Sequence, residues 1–271
     1  MGLPTLTPAP GRLFHKPRRS APPPQLSAPF ALAIAVRTPS LVAFMRDALL
    51  LWDIDGTLTR SSGAGLHALE TALRLELGVT ASLADIDYSG RTDRWILRQI
   101  FAKFGFAADD AAFTRYLDAY IRALPASLVT HQSHVLPGVS EALERVHTHD
   151  RWAQALLTGN VERGARVKLA HHDLARYFPF GAFADDSELR NDLGPVALRR
   201  ARDFHGVDFP AHRVIVIGDT PHDIACGRII GAQTVAVATG LHSLAELQSH
   251  QPTAAFASLA DPGFAALLNA L

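Results

Sequence analysis

Residues 48–57, with the sequence Ala-Leu-Leu-Leu-Trp-Asp-Ile-Asp-Gly-Thr, decide the fold that the chain is expected to adopt. A continuous apolar run that ends in acid and glycine is typical of a buried parallel strand followed by a loop. Asp53 and Asp55 stand two residues apart, so they project to the same side while the strand continues. Because close carboxylates repel each other, we expect one to be an ionised nucleophile and metal ligand while the other holds a proton. Gly56 permits a sharp turn, and the Thr57 hydroxyl can serve the turn or a phosphate.

Four further segments have the shape of this first strand, and amphipathic helices separate them. The predicted strands are 153–158, 214–218, 234–237 and 254–257, and the predicted helices are 139–147, 161–174, 195–205 and 223–230. Strands that alternate with helices indicate an α/β fold with a doubly wound parallel sheet. In such a sheet the functional side chains lie at the carboxyl ends of the strands.

Residues 66–132 interrupt this alternation. Three segments, 65–77, 93–104 and 109–124, carry apolar residues at three-and-four spacing, which is typical of amphipathic helices. We therefore expect an inserted all-helical domain over residues 66–132. The core domain would then consist of residues 45–65 and 133–271.

Composition divides the chain near residue 45. Residues 1–44 hold nine of the 17 prolines, five basic residues and no Asp or Glu. The whole chain has 26 basic and 26 acidic side chains and so no net charge. Residues 1–44 therefore carry a net charge of +5, and residues 45–271 carry a net charge of −5. The proline-rich segment favours an extended, disordered tail without a catalytic role. A mis-chosen start codon, with Met45 as the true start, and an Arg-rich targeting peptide are the alternatives.

The composition also excludes several classes of protein. Hydrophobic residues make up 48% of the chain and charged residues 19%, which is typical of a soluble globular protein. The balanced charge argues against a nucleic-acid partner. No apolar run approaches the roughly 20 residues of a membrane-spanning helix, so we expect no membrane partner and a cytoplasmic location. The single cysteine, Cys226, excludes an internal disulfide and a thiolate zinc cluster.

Polar residues also follow the second and third strong strands. Thr158, Gly159 and Asn160 follow the second, where a hydroxyl and loop amides at a helix N-terminus can bind a phosphoryl oxygen. Thr-Gly-Asn after a strand is, however, more often a helix N-cap. Asp219 and Asp223 follow the third strand, four residues apart. One of them could ligate a metal ion while the other orients its surroundings, and Asp223 could instead be a capping acid.

Taken together, these residues resemble the haloacid dehalogenase superfamily of phosphatases and phosphomutases over about residues 48–240. The resemblance implies that Asp53 is the nucleophile that forms an aspartyl-phosphate. It implies that Asp55 protonates the leaving oxygen and then activates water. Mg²⁺ would be held by the Asp53 carboxylate, the Asp55 backbone carbonyl and Asp219, with Asp223 in a supporting role. The phosphoryl oxygens would be bound by Thr158, Gly159, Asn160, Gly56 and Thr57.

One position departs from the pattern of that superfamily. Its third motif is usually a lysine, often followed by proline, before a helix, whereas residues 190–198 read Arg-Asn-Asp-Leu-Gly-Pro-Val-Ala-Leu. We assign the role to Arg190, because its spacing to Pro195 fits and because no lysine follows Lys168. Arginine supplies the same positive charge and can bind two oxygens. The alternatives Arg199 and Arg200 are expected on the helix surface.

The resemblance also gives the helical domain a role. Small members of the superfamily often carry a helical cap after the first motif, which closes over the substrate and excludes water. Residues 88–93, Tyr-Ser-Gly-Arg-Thr-Asp, resemble the cap loop of phosphoglycolate-phosphatase-like members. Arg91 is therefore a candidate contact for an anionic group of the substrate. An N-cap cluster around Thr92 or Asp93 is an equal alternative.

These features predict an enzyme, a Mg²⁺-dependent phosphomonoester hydrolase that acts on a small phosphorylated metabolite. One alternative is a sugar phosphomutase similar to β-phosphoglucomutase, although the helical domain holds no clear set of Lys and Arg residues to retain a bisphosphate. The other is a non-catalytic protein that keeps the fold and binds a metabolite or a partner. The expected partner of the enzyme is a small phosphate ester, and either a monomer or a homodimer fits.

Overall fold

The structure is a computed structural model that describes Gly2 and residues 46–270. Apart from Gly2, the predicted tail over residues 1–44 lies outside the described residues. None of the described helices is long and apolar enough to cross a membrane.

A six-stranded sheet forms the centre of the described body. In chain order the strands are β1 (Ala48–Trp52), β2 (Thr59–Arg60), β3 (His134–Val135), β4 (Trp152–Leu157), β5 (Gly181–Ala182), β6 (Val214–Gly218), β7 (Gln233–Val237) and β8 (Ala254–Phe256). Six of them form the sheet in the order β5-β4-β1-β6-β7-β8. All its neighbouring pairs are parallel, so the predicted α/β fold is confirmed.

Helices separate the strands. They are α1 (Ala64–Leu77), α2 (Asp93–Phe104), α3 (Asp110–Thr130), α4 (Val139–Thr148), α5 (Glu162–His171), α6 (Arg190–His205), α7 (Pro221–Ile229), α8 (Leu244–Ser249) and α9 (Pro262–Asn269). The helix predicted from residue 195 begins at Arg190 instead, and Pro195 lies inside it. Proline favours the first turn of a helix, which is why the sequence pattern placed the start too late.

The first strand is apolar throughout because both faces of the sheet are covered. All five residues of β1 are buried. Leu50 and Trp52 belong to one hydrophobic cluster, and Leu49 and Leu51 belong to another. Alternate side chains of a strand point to opposite faces, so β1 joins two cores. This rigid central strand fixes the position of Asp53, the residue that follows it.

Helices α1, α2 and α3, called the cap helices below, pack around a hydrophobic cluster of their own. Its largest buried side chains include Phe101, Tyr116 and Tyr120. The chain enters this region through β2 and leaves it through β3, and these two short strands pair antiparallel with Thr59 opposite Val135. The pairing holds the two connections side by side, close to the end of β1.

Candidate active site

Polar side chains meet at one edge of the sheet. β1 pairs in parallel with β4 on one side and with β6 on the other, so the carboxyl ends of the three strands lie side by side. Asp53 follows β1, Thr158 follows β4 and Asp219 follows β6. This topology brings the three predicted motifs to one place.

Asp53 is buried and paired with Arg190. A guanidinium nitrogen of Arg190 donates to Asp53 Oδ1 at 3.0 Å and also to Asp223 Oδ1. Burial raises the pKa of Asp53 to about 7, against the attraction of the Arg190 charge and with a further rise from Asp223. Arg190 is thus the buried cation beside the candidate nucleophile, whereas the alternative Arg200 pairs with Asp186 at 2.7 Å.

Asp219 lies against two glycines. Thr57 Oγ1 donates to Asp219 Oδ1 at 3.2 Å, so the Thr57 hydroxyl is engaged with this carboxylate. Gly56 has a φ of 82°, which favours glycine, and a Cβ there would lie 2.2 Å from Asp219 Oδ2. A Cβ on Gly240 would lie 1.6 Å from the same oxygen. Burial raises the pKa of Asp219 well above its ordinary value, and the Asp53 charge adds to the rise.

Three buried carboxylates form a group that fits a divalent cation. One oxygen from each of Asp53, Asp219 and Asp223 lies within 4.8 Å of the others. Carboxylate oxygens are the ligands that Mg²⁺ prefers. The raised pKa values of Asp53 and Asp219 reflect buried negative charge that Arg190 alone does not offset, and a cation would offset it. The residues present therefore fit a Mg²⁺ ion.

Asp223 has donors on both carboxylate oxygens. Besides the Arg190 contact on Oδ1, its Oδ2 accepts from Thr220 Oγ1 at 2.7 Å and from Thr220 N at 3.0 Å. Thr220 and Asp223 form the capping box that begins α7, so Asp223 is a capping acid. The same carboxylate holds Arg190 in place, which suits a supporting role better than direct coordination.

Asp55 is held by Lys168, a residue to which the sequence analysis gave no role. Lys168 Nζ donates to Asp55 Oδ2 at 2.5 Å and to Asn160 Oδ1 at 2.6 Å, and Asn160 Nδ2 donates to Asp55 Oδ2 at 2.8 Å. The Lys168 side chain is 6% exposed, whereas the Asp55 side chain is 37% exposed. Burial alone would raise the pKa of Asp55, but the Lys168 charge and these hydrogen bonds bring it below its ordinary value. The arrangement favours the ionised form of Asp55.

Lys168 lies on the buried face of α5. Gly164, Ala165 and Leu169 are buried on the same helix, and residues three apart share a face. A lysine among buried apolar residues requires a partner, so this spacing is a signal of a buried ion pair. The motif pattern of the superfamily predicts a cation near Pro195 and predicts none on α5.

Thr158, Gly159 and Asn160 form the loop between β4 and α5. Thr158 is fully buried, and its Oγ1 accepts from Asn160 Nδ2 at 2.9 Å. The Asn160 amide is therefore engaged with Thr158, Asp55 and Lys168. The N-cap of α5 is Val161, so Thr158 does not cap that helix.

Arg91 contacts two neighbouring residues, and its contact with an anionic group of the substrate stays a prediction. Its guanidinium pairs with Asp87 at 3.0 Å and lies 4.6 Å from the centre of the Trp95 ring. Asp87 and Trp95, four residues before and after Arg91, thus contact the guanidinium that is the candidate for binding a substrate anion. The N-cap named as the alternative is present, because the Thr92 side chain accepts from Trp95 N and caps α2.

Helix α2 is hydrogen-bonded to the loop that follows β4. Asp93 N donates to the Gly159 carbonyl at 2.7 Å, and Val161 N donates to Asp93 Oδ2 at 2.7 Å. Thr92 Oγ1 donates to the Glu188 carbonyl at 2.6 Å. Burial raises the pKa of Asp93 to about 6. These bonds hold the cap helices against the sheet edge.

A cavity of about 390 Å³ lies between the cap helices and the sheet edge. Asp55, Asp219, Asn160 and Lys168 line it from the core, and Leu66, Leu69, Ile96 and Tyr120 line it from the cap helices. Its volume suits a small ligand. Asp55 and Asp219 therefore face a cavity that can hold a small molecule.

Comparison with known families assigns this arrangement. The model for the haloacid dehalogenase-like hydrolases matches residues 50–228. The chain belongs to this family. The superfamily predicted from the motifs is therefore confirmed, and the protein is a haloacid dehalogenase-like hydrolase.

Solved structures share the fold of this haloacid dehalogenase-like hydrolase. A hydrolase from Pseudomonas syringae is 24% identical with a TM-score of 0.61, covering 82% of this chain and 97% of its own. A predicted phosphatase from Clostridium acetobutylicum is 18% identical with a TM-score of 0.62, covering 83% and 100%. A predicted phosphoglycolate phosphatase from Haemophilus somnus is 17% identical with a TM-score of 0.62, covering 81% and 98%. The comparison with curated proteins gave no match.

Proposed function

We propose that this protein is a Mg²⁺-dependent phosphomonoester hydrolase that acts on a small phosphorylated metabolite through an aspartyl-phosphate. The observation that carries the proposal is the buried Asp53 carboxylate, held by Arg190 at 3.0 Å beside the Asp219 and Asp223 carboxylates. A carboxylate fixed between a cation and a site fit for a metal ion is arranged to attack an electrophile with anionic oxygens.

In the first step an Asp53 oxygen attacks phosphorus. A P–O bond forms to Asp53, and the P–O bond to the leaving alcohol breaks. Asp55, two residues along the chain, gives a proton to the leaving oxygen. Lys168 and Asn160 favour its ionised form in the free protein, so Asp55 takes up this proton when the substrate binds, because the negative charge of the phosphate raises the pKa of a nearby carboxyl group. Arg190 keeps the Asp53 carboxylate oriented and offers positive charge to the phosphoryl oxygens.

In the second step a water molecule attacks the phosphorus of the aspartyl-phosphate. Asp55 accepts a proton from this water, the P–O bond to Asp53 breaks, and inorganic phosphate leaves. Asp53 is again a carboxylate and Asp55 again holds a proton, so the cycle closes. The contacts of Lys168 and Asn160 favour ionised Asp55, which is the form that this second step requires.

Asp53, Asp219 and the backbone carbonyl of Asp55 would hold the Mg²⁺ ion, with Asp223 fixing Arg190 next to them. The ion supplies charge that reduces the repulsion between an anionic nucleophile and an anionic phosphate. Asp219 itself is held by the Thr57 hydroxyl at 3.2 Å, which orients one oxygen and leaves the other toward Gly56 and Gly240.

Hydrolysis of para-nitrophenyl phosphate by the purified protein tests the proposal. We expect turnover with Mg²⁺, loss of turnover with excess chelator, and loss of turnover in Asp53→Asn. Asp203→Asn is a matched control, because Asp203 is an exposed carboxylate on α6. Turnover that survives Asp53→Asn would refute the mechanism.

The products formed from a hexose 1-phosphate separate the proposed hydrolase from the phosphomutase alternative. Release of inorganic phosphate supports the hydrolase. Conversion to a hexose 6-phosphate without release of phosphate would establish the mutase.

The proposal includes a cytoplasmic location and a free small molecule as the partner. Cys226 is the single cysteine of the sequence and is buried without a disulfide, and proteins without disulfides are typical of a reducing compartment. Cell fractionation with an antibody to the protein tests the location, and light scattering decides between monomer and homodimer.

A further inference from the structure

The cavity has apolar lining residues besides its carboxylates, and they are called the apolar wall below. Six of its lining residues are Leu66, Leu69, Ile96, Tyr120, Tyr88 and Leu241. Leu241 is 73% exposed and Tyr88 is 44% exposed, so large apolar side chains stand at the surface where they line the cavity. Exposed apolar side chains that line one concave space mark a surface that a ligand covers.

The charges that line the cavity leave little to bind a second anion. The cation Lys168 already donates to Asp55 and Asn160. The second lining cation, Arg60, is exposed and donates to the Thr239 carbonyl. A substrate therefore meets no buried cation that lacks a protein partner among the described residues that line this space.

The remaining charged group of the wall is negative. Asp93 lines the cavity and is buried, and its carboxylate accepts one hydrogen bond from Val161 N. A carboxylate or second phosphate on the substrate would lose its water and lie near this acid, and among the described lining residues the cation left for it is Arg60, which is exposed to water. An uncharged, mainly apolar group would lose none of these interactions, and it would gain the contact with the leucines.

Tyr120 supplies one polar atom within this apolar wall. The residue lines the cavity and is 2% exposed, and its phenolic hydroxyl is the polar atom of an otherwise apolar side chain. It could donate to a hydroxyl or carbonyl oxygen of a ligand without any need for a charge on that ligand.

We propose that the cavity selects phosphate monoesters whose leaving alcohol is uncharged and largely apolar, and that it rejects esters that carry a second anionic group. This inference rests on the proposed phosphomonoester hydrolysis. It names the chemical class of the leaving group, and esters of hydroxy acids and bisphosphates fall outside that class.

A matched pair of aryl phosphates tests the inference. 4-Acetylphenyl phosphate and 4-carboxyphenyl phosphate have leaving groups of almost the same shape, but only the second has another negative charge. We expect kcat/KM for the acetyl compound to exceed that for the carboxyl compound by tenfold or more. Across straight-chain alkyl phosphates, kcat/KM should rise about fourfold per methylene until the wall is covered.

Substitution at Leu66 links this preference to the wall. Leu66 is half-buried, so Leu66→Lys places a cation on the cavity surface. The variant should reduce the preference for the acetyl compound at least fivefold, whereas the control Leu66→Met should retain it. If Leu66→Lys does not fold, the substrate pair with the unmodified protein still decides.

The failures of the two proposals differ. Asp53-dependent hydrolysis with equal kcat/KM for both aryl phosphates overturns this inference and leaves the proposed function intact. A preference for the carboxyl compound that disappears in Arg60→Gln would show that Arg60 binds a second anion, and it also overturns the inference. If the protein hydrolyses neither ester, both proposals fall.

Discussion

The stability of the metal-free protein should decrease as the pH rises from 5 to 8, because a proton bound to Asp53 stabilises the folded state. Burial raises the pKa of Asp53 from 3.8 to about 7. A carboxyl group whose pKa is raised on folding contributes most stability below its unfolded pKa, and the contribution disappears as the pH passes its folded pKa. The full effect is about 4 kcal/mol, at about 1.4 kcal/mol per pKa unit.

About 2 to 3 kcal/mol of this contribution should be lost between pH 5 and pH 8. The raised pKa of Asp219 adds to the loss, because it has the same direction. The lowered pKa values of His172, His205 and His222 act in the opposite direction. Comparison with a variant at Asp53 cancels the contribution of these histidines.

The assay is urea unfolding of the wild type and of Asp53→Asn, in chelator, at pH 5 and at pH 8. Asparagine has nearly the same shape but carries no charge at either pH. The free energy of unfolding of Asp53→Asn minus that of the wild type should therefore be about 2 to 3 kcal/mol larger at pH 8 than at pH 5. Added Mg²⁺ at about 100 times its dissociation constant should stabilise the wild type by about 2.7 kcal/mol, and Asp53→Asn by less. A difference between the two proteins that is the same at both pH values would refute the reasoning.

Three further perturbations follow from the contacts of the site. With para-nitrophenyl phosphate, Asp55→Asn should release a stoichiometric burst of para-nitrophenol and accumulate phosphorylated protein. Nitrophenolate leaves without a proton, whereas the second step needs a base. Steady turnover at the wild-type rate would contradict this prediction. Lys168→Met should lower kcat at least tenfold and lower the free energy of unfolding by about 1 to 3 kcal/mol, because it leaves the half-buried Asp55 and the Asn160 amide without their cation. Steady-state kinetics and chemical denaturation measure the two effects. An unchanged kcat would show that Lys168 has no role in the reaction. Gly240→Ala should weaken Mg²⁺ binding at least tenfold, because the new Cβ would lie 1.6 Å from Asp219 Oδ2. Calorimetry measures the affinity, and an unchanged value would show that the Asp219 carboxylate does not hold the ion.

The sheet was predictable because its strands carry their signal locally. Strand β1 is apolar at every position since both of its faces are buried, and the acid that follows it marks the strand end. Carboxyl ends of parallel neighbours share an edge, so the positions of Asp53 and Asp219 in the sequence already implied that they meet. The helix start at Arg190 was missed because the proline signal at Pro195 is only a tendency.

The environment of Asp55 was not predictable in the same way. Lys168 lies 113 residues away in sequence, and only the packing of α5 against the cap helices and the sheet brings its amine to the carboxylate. The contacts of Arg91 were not predictable for a related reason. Its charge suggested a substrate, but the partners that engage it, Asp87 and Trp95, depend on local geometry that charge alone does not reveal.

The hydrogen bond from Val161 N to Asp93 Oδ2 has a mechanical consequence. Val161 is the N-cap of α5, and the group that satisfies its amide comes from α2, one of the cap helices. Any motion that separates α2 from the sheet edge must expose this amide to water. Helix α5 also carries Lys168, which holds Asp55. The same hydrogen bond from Val161 N to Asp93 Oδ2 therefore holds the cavity closed and stabilises the first turn of the helix that positions Lys168. The exchange rate of a single backbone proton, that of Val161, therefore reports how often the enzyme opens.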